Sequence, residues 1–168
     1  MSILPILKYP DPILREKAVS VTIFDAGLKK IANDMAETMF DAPGVGLAAP
    51  QIGQAIQLIV VDISVDENQQ DFMVMINPEI TDSQGSQEDE EGCLSVIDLT
   101  ANVKRKNKIR LTYQDTEGKK HEITAEGRMA VILQHEIDHL HGILFIDHLS
   151  ALKRNLYKKR LKKFLASK

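Results

Sequence analysis

The chain has 168 residues, 43% of them hydrophobic and 27% charged, with a formal net charge of -3 at pH 7. That length suits a single domain with a real core, and the composition excludes a disordered chain or one stapled by disulfides, since its one cysteine, Cys93, has no partner. No stretch approaches the ~20 apolar residues a membrane-spanning helix needs, and the first ten residues lack a basic segment followed by a long apolar run, so a reducing, cytoplasmic setting without a membrane partner is expected.

No internal repeat, low-complexity tract or linker divides the sequence, so one compact unit over residues 1–168 is expected. Leu28, Ile31, Ala32, Met35 and Met39 share one face at i, i+3, i+4 spacing, which predicts a helix over residues 25–39, ended by Pro43-Gly44. Strands follow at 56–63, 72–76 and 103–113, the last with Ile109, Leu111 and Tyr113 alternating against polar neighbours; 121–125 can pair with it across Thr116-Glu117-Gly118. Between them lies an acidic cluster of Asp82, Glu88, Asp89, Glu90 and Glu91. A second helix over 127–140 carries Met129, Val131, Ile132, Leu133 and Ile137, so much of its surface must be buried. A last helix over 150–165 should set Leu152, Leu156, Leu161, Phe164 and Leu165 against the body and turn its basic residues to solvent. Strands grouped between helices, without regular alternation, predict an α+β fold of mostly antiparallel strands around the second helix.

The second helix contains His135-Glu136-Ile137-Asp138-His139, an H-E-x-x-H run. Four residues are a little over one turn, so both imidazoles project from one face and can share one tetrahedral ion, with Glu136 beside its open position. The plain alternative is two helix histidines at a chance spacing. Against it, burying two imidazoles and a carboxylate on an apolar helix without partners would cost several kcal/mol, on the order of that for unpaired polar groups. A third ligand is needed. His141 is turned away on the helix and His148 lies beyond Gly142, whereas the Cys93 thiolate is a good ligand for divalent transition metals.

Three blocks now stand in order: Gly44-Val45-Gly46-Leu47-Ala48-Ala49-Pro50-Gln51, then Glu91-Gly92-Cys93-Leu94-Ser95, then Gln134-His135-Glu136-Ile137-Asp138-His139-Leu140. Together they resemble the peptide deformylase family, and weaker likeness runs from Tyr9-Pro10-Asp11-Pro12 to the basic tail. The resemblance implies hydrolysis of the formyl group from the N-terminal methionine of nascent peptides. It implies one divalent ion, Fe2+ in the cell with Zn2+, Ni2+ or Co2+ in purified protein, on Cys93, His135 and His139, and Glu136 as the group that takes and returns the proton. It also implies that the Leu94 backbone N–H and the Gln51 amide face the developing oxyanion, and that the Gly44, Val45, Gly46 and Leu47 segment pairs with substrate in strand fashion. Glu91 and Arg105 match a family pair near the cysteine, and Asp138 is expected to orient neighbouring groups on the histidine helix. By position, Val45, Val131 and Ile132 are candidates for the methionine slot, with simple core packing as the competing role.

Two residues depart from the family pattern: Ile97 and Thr100 stand where a proline and an arginine are usual. Metal binding and hydrolysis do not need them, so altered peptide handling is expected. The tail after Ser150, with Lys153, Arg154, Lys158, Lys159, Arg160, Lys162, Lys163 and Lys168 and no acid, offers a ribosomal RNA contact; a solvated helix face is its competing explanation. Two rival functions remain at this point. A zinc endopeptidase would share the helix motif but should carry a downstream His or Glu ligand, and a non-catalytic ribosome-binding module should have lost a ligand, the base or Gln51.

Overall fold

A computed structural model describes residues 2–167. Among them the chain forms, in order, α1 (Ala26–Asp41), β1 (Gly46–Ala48), β2 (Leu58–Asp62), β3 (Phe72–Gln84), β4 (Gln87–Cys93), β5 (Val96–Arg105), β6 (Lys108–Gln114), β7 (Lys120–Glu126), α2 (Gly127–Leu140) and α3 (Ala151–Ala166). Short 3-10 turns lie at Pro12–Arg15, Ala49–Ile52 and Phe145–His148. The strands build a five-stranded antiparallel sheet in the order β1-β2-β3-β6-β7 and a separate antiparallel hairpin, β4-β5. The expected α+β fold, a single domain of antiparallel strands with a central and a C-terminal helix, is the one observed.

The apolar run in β2 explains how the layers assemble. Successive side chains of a strand point to opposite faces. Leu58 and Val60 therefore meet Leu28, Ala32, Met35 and Met39 of α1 on one side. Ile59 and Val61 meet Ala130, Leu133, Ile137 and Leu140 of α2 on the other. Each such side chain, fully buried, contributes about 1.5–3 kcal/mol. A third cluster, including Val96, Val103, Phe145, Tyr157 and Leu161, seats the hairpin and α3 on this body. Local signals agree with the packing: Asp25 caps α1 by accepting from Leu28 N at 3.0 Å, and Ser150 caps α3 by accepting from Lys153 N at 3.2 Å.

Three expectations need correction. The strand expected over 103–113 breaks at Lys106-Asn107, so Val103 and Arg105 end β5 and Lys108 starts β6. Gln134 of α2 takes both backbone groups of Lys106, accepting from its N–H at 3.0 Å and donating to its carbonyl at 2.9 Å, which removes them from any ladder. The strand expected at 72–76 continues to Gln84, and the acidic cluster is mostly strand β4, with Glu88 opposite Lys104 and Asp89 opposite Val103. On α3 the covered side is that of Tyr157 and Leu161, while Leu152, Leu156 and Leu165 are 70%, 57% and 46% exposed. Tyr157 Oη donates to Ile97 O at 2.9 Å and Arg160 donates to Asp98 O at 2.6 Å, so polar contacts with the start of β5 set the rotation of the helix.

Candidate metal centre and active-site cleft

The site forms where the three clusters meet. α2 presents His135, Glu136 and His139 from its buried face, and the β4-β5 hairpin brings Cys93 to them at its turn. The Sγ of Cys93 and a ring nitrogen of each histidine all lie within 4.8 Å of one another, and Sγ is 3.4 Å from His139 Nε2. A sulfur and a nitrogen bound to one tetrahedral zinc-sized ion are about 3.5 Å apart, so this donor set fits a divalent ion with only small closure. Ring chemistry fits as well. His135 Nδ1 faces Glu91 Oε1 at 3.0 Å, which places its proton there and leaves Nε2 as a lone-pair donor.

Electrostatics sharpen the roles. Burial, helped by the positive charges of His135 and Arg105, holds His139 well below its ordinary value, and so neutral. Burial opposes a proton on His135, but Glu136, Cys93 and Glu91 outweigh it and raise that group, so a proton and an ion compete for the ring. Glu136 is pushed up to about 7, chiefly by burial, with His135 pulling the other way. Its Oε1 is buried and, among the described residues, has no hydrogen-bond partner; the same holds for His139 Nδ1. An unpartnered carboxylate oxygen beside a ligand cluster is poised to accept a proton from a molecule entering the site.

The neighbours are held just as closely. Gln51 is 1% exposed; its Oε1 accepts from Ala48 N at 2.9 Å, which fixes the amide so that Nε2 reaches Ser95 Oγ at 3.0 Å and lies 3.7 Å from Cys93 Sγ. Arg105 forks onto Glu91 with two bonds of 2.9 Å and reaches Asp138 Oδ2 at 2.6 Å. A Cβ on Gly46 would fall 2.5 Å from Glu136 Oε2, and one on Gly44 2.7 Å from Leu94 Cδ1, so both glycines admit close approach across the cleft.

The cleft wall contains Gly44, Val45, Gly46, Gln51, Glu91, Cys93, Leu94, Val131, Ile132, His135 and Glu136 from the sequence-based set. Leu47 is not part of it: its side chain is buried in the core with α1. Arg105, Asp138 and His139 also lie outside the wall. The sequence did not single out Pro43, Leu99, Asp98 or Arg128 as cleft residues, yet they line it as well. Nothing in their local pattern marks them, because an arginine at a helix start or a leucine in a half-exposed strand looks like ordinary surface. His148 meets Asp138 at 3.0 Å, and no downstream ligand of the endopeptidase kind joins the cluster among the described residues.

Fold and site together are those of a hydrolase of the H-E-x-x-H kind, with a cysteine brought beside the two histidines. The chain belongs to the polypeptide deformylase family, whose model matches residues 3–155. It is 59% identical over 165 residues to a peptide deformylase of Desulfotalea psychrophila, covering 98% of each chain. The crystal structure of a peptide deformylase from Legionella pneumophila superposes with a TM-score of 0.90 at 49% identity, covering 98% of this chain and 96% of that one. A Met-Ala-Ser-bound class I type b peptide deformylase from Acinetobacter baumannii superposes with a TM-score of 0.83 at 34% identity, covering 89% and 100%.

Proposed function

We propose that the chain hydrolyses the formyl amide at the N-terminal methionine of newly synthesised polypeptides, releasing formate and a free amino terminus. The observation that carries this reading is the set of Cys93, His135 and His139 donors within 4.8 Å, beside the unpartnered Oε1 of Glu136. Cys93, His135 and His139 would hold a divalent ion, Fe2+ in the cell with Zn2+, Ni2+ or Co2+ as substitutes, and that ion would supply Lewis acidity toward the formyl carbonyl and the attacking water.

The chain's own groups do the rest. Glu136 Oε1, buried and without a hydrogen-bond partner among the described residues, takes the proton from the attacking water and gives it to the leaving amine, a double task suited to a carboxylate. The Gln51 amide, held by Ala48, and the Leu94 backbone N–H donate to the carbonyl oxygen as its charge grows. Residues 44–46 run beside the peptide in strand fashion, and Val45, Val131 and Ile132 receive the methionine side chain. The Met-Ala-Ser peptide held by the Acinetobacter relative has the form of a deformylated product. Beyond the methionine, Thr100 lines the cleft where an arginine is usual, so handling of the downstream peptide is altered.

No helix among the described residues is long and apolar enough to cross a membrane. A cytoplasmic location, suited to a single thiol ligand kept reduced, is part of this reading, as is contact of the basic α3 with the ribosome.

The test compares formate release from formyl-Met-Ala-Ser with cleavage of an unblocked peptide, before and after a chelator. Release that is abolished by the chelator and restored by the ion supports the proposal; no release from metal-replete protein ends it. Glu136→Ala should keep its ion and lose turnover by a factor of about 10² to 10⁴.

A further inference from the structure

The 3-10 turn Phe145–His148, just before α3, reaches the metal cluster directly through Phe145 and indirectly through His148. Phe145 stacks on the His135 ring, with centroids 6.1 Å apart and planes 28° from parallel. Three residues on, His148 Nε2 approaches Asp138 Oδ2 at 3.0 Å. The same oxygen accepts from Arg105 Nη1 at 2.6 Å; Arg105 forks onto both oxygens of Glu91; and Glu91 Oε1 meets His135 Nδ1 at 3.0 Å. A continuous path of four hydrogen-bonded links therefore runs from a histidine at the surface to the ring of a proposed ligand. Arg105 Nη1 and His148 Nε2 are 3.4 Å apart, and both donate to the one carboxylate oxygen, so the imidazole proton sits on Nε2.

We propose that His148 is a positioning residue for the metal centre: it holds Asp138 against Arg105, and through Glu91 it fixes the orientation of His135. The reasoning is steric as much as electrostatic. Arg105 is a planar fork with side-chain exposure of only 4%, and its plane is set jointly by Glu91 on one edge and Asp138 on the other. Asp138 is the looser of the two, with 22% of its side chain exposed, and His148 is its second donor. Removing that donor lets the Asp138 carboxylate pivot while it stays paired with Arg105, which tilts the guanidinium plane and shifts Glu91 relative to Nδ1. The turn itself is anchored independently: Asp147 pairs with Arg15 at 2.5 Å and accepts from Leu144 N at 3.0 Å, so substituting His148 leaves the turn in place.

This inference rests on the reading of Cys93, His135 and His139 as metal ligands, and the experiment separates the two. Cobalt(II) affinity of the full chain is measured by chelator competition for wild type, His148→Ala and His148→Gln, together with the visible cobalt spectrum and the melting temperature of the metal-free proteins. The Ala variant should bind cobalt about three- to tenfold more weakly, at or below the ten- to hundredfold typical of groups that touch a ligand directly. Its spectrum should shift while its metal-free melting temperature holds. Gln, whose amide nitrogen can replace Nε2 as donor, should restore both affinity and spectrum. Wild-type affinity in the Ala variant, failure of Gln to rescue, or a loss matched by a fall in metal-free stability overturns the proposal alone. A wild-type chain that takes up no cobalt overturns the metal site with it.

Discussion

Gly46 shows how function is written into a single missing atom. The space where its Cβ would stand is occupied by the Glu136 carboxylate, 2.5 Å away, and the clashing atoms all belong to that one side chain. Gly46→Ala is therefore expected to move the buried Glu136, with some loss of stability and a loss in kcat/KM of about 100-fold, the scale of a 1 Å misplacement of a reacting group. A variant as active as wild type would show that the carboxylate is not held where the chemistry needs it. Glu91 makes a converse case, in which stability is at stake. Burial favours its neutral form, but the Arg105 fork and His135 win and hold the carboxyl at about 2 against an ordinary 4.5. Because the unfolded chain takes up this proton first, the stabilisation, on the order of 3 kcal/mol, is complete above about pH 5 and disappears as pH falls toward 2. Urea unfolding of metal-free protein should show that slope, and Glu91→Gln should lack it. At neutral pH, Glu91→Ala should cost about 3–5 kcal/mol by leaving Arg105 buried with one partner fewer. The histidine spacing and the lone thiol point to a donor set from residue chemistry, and the structure brings those three side chains together. The roles proposed for Gln51 and Leu94 come only from family likeness, since an amide and a backbone N–H would act through placement alone.

Among the elements, legibility follows how completely each one is covered. α1 and α2 carry long helical periods because a sheet face lies against them, and the β2 run is continuous because helices cover both its faces. β4 hides in Gln87-Glu88-Asp89-Glu90-Glu91 because its hairpin is largely exposed; only Glu91 along it is buried, and that residue is buried for its charge. α3 has apolar residues on more than one side, and periodicity cannot tell which stripe a neighbour will cover. Tyr157 and Leu161 are the covered pair. Leu161→Ala is accordingly expected to cost about 2–4 kcal/mol in denaturant unfolding, whereas Leu152→Ala and Leu156→Ala should stay within about 0.5 kcal/mol. Equal costs at all three positions would mean that the helix rolls in solution onto its leucine side.

For the molecule as a whole, the proposed ion is a further tie between the β4-β5 hairpin and α2, beside the polar contacts of Glu91 and Arg105 that already join them. Cys93 packs with the cluster that holds the hairpin and α3, while His135 and His139 belong to the helix at the centre of the main body. An ion that binds only the folded chain adds about 2.7 kcal/mol when present at one hundred times its Kd. For a chain of this size each kcal/mol moves the melting temperature by about 2–4 °C, so stripping the ion should lower it by about 5–10 °C. The loss should also be uneven. Amide exchange in β4 and β5, residues 87–105, should quicken far more than in β2 and β3, because the five-stranded sheet keeps both its helices when the tie is cut. Cys93→Ala should melt where the stripped protein does and be indifferent to chelator. A melting temperature that ignores both chelator and this substitution would mean that sulfur and imidazoles hold no common ion, and that packing and the contacts of Glu91 with His135 and Arg105 with Asp138 join the hairpin to the helix.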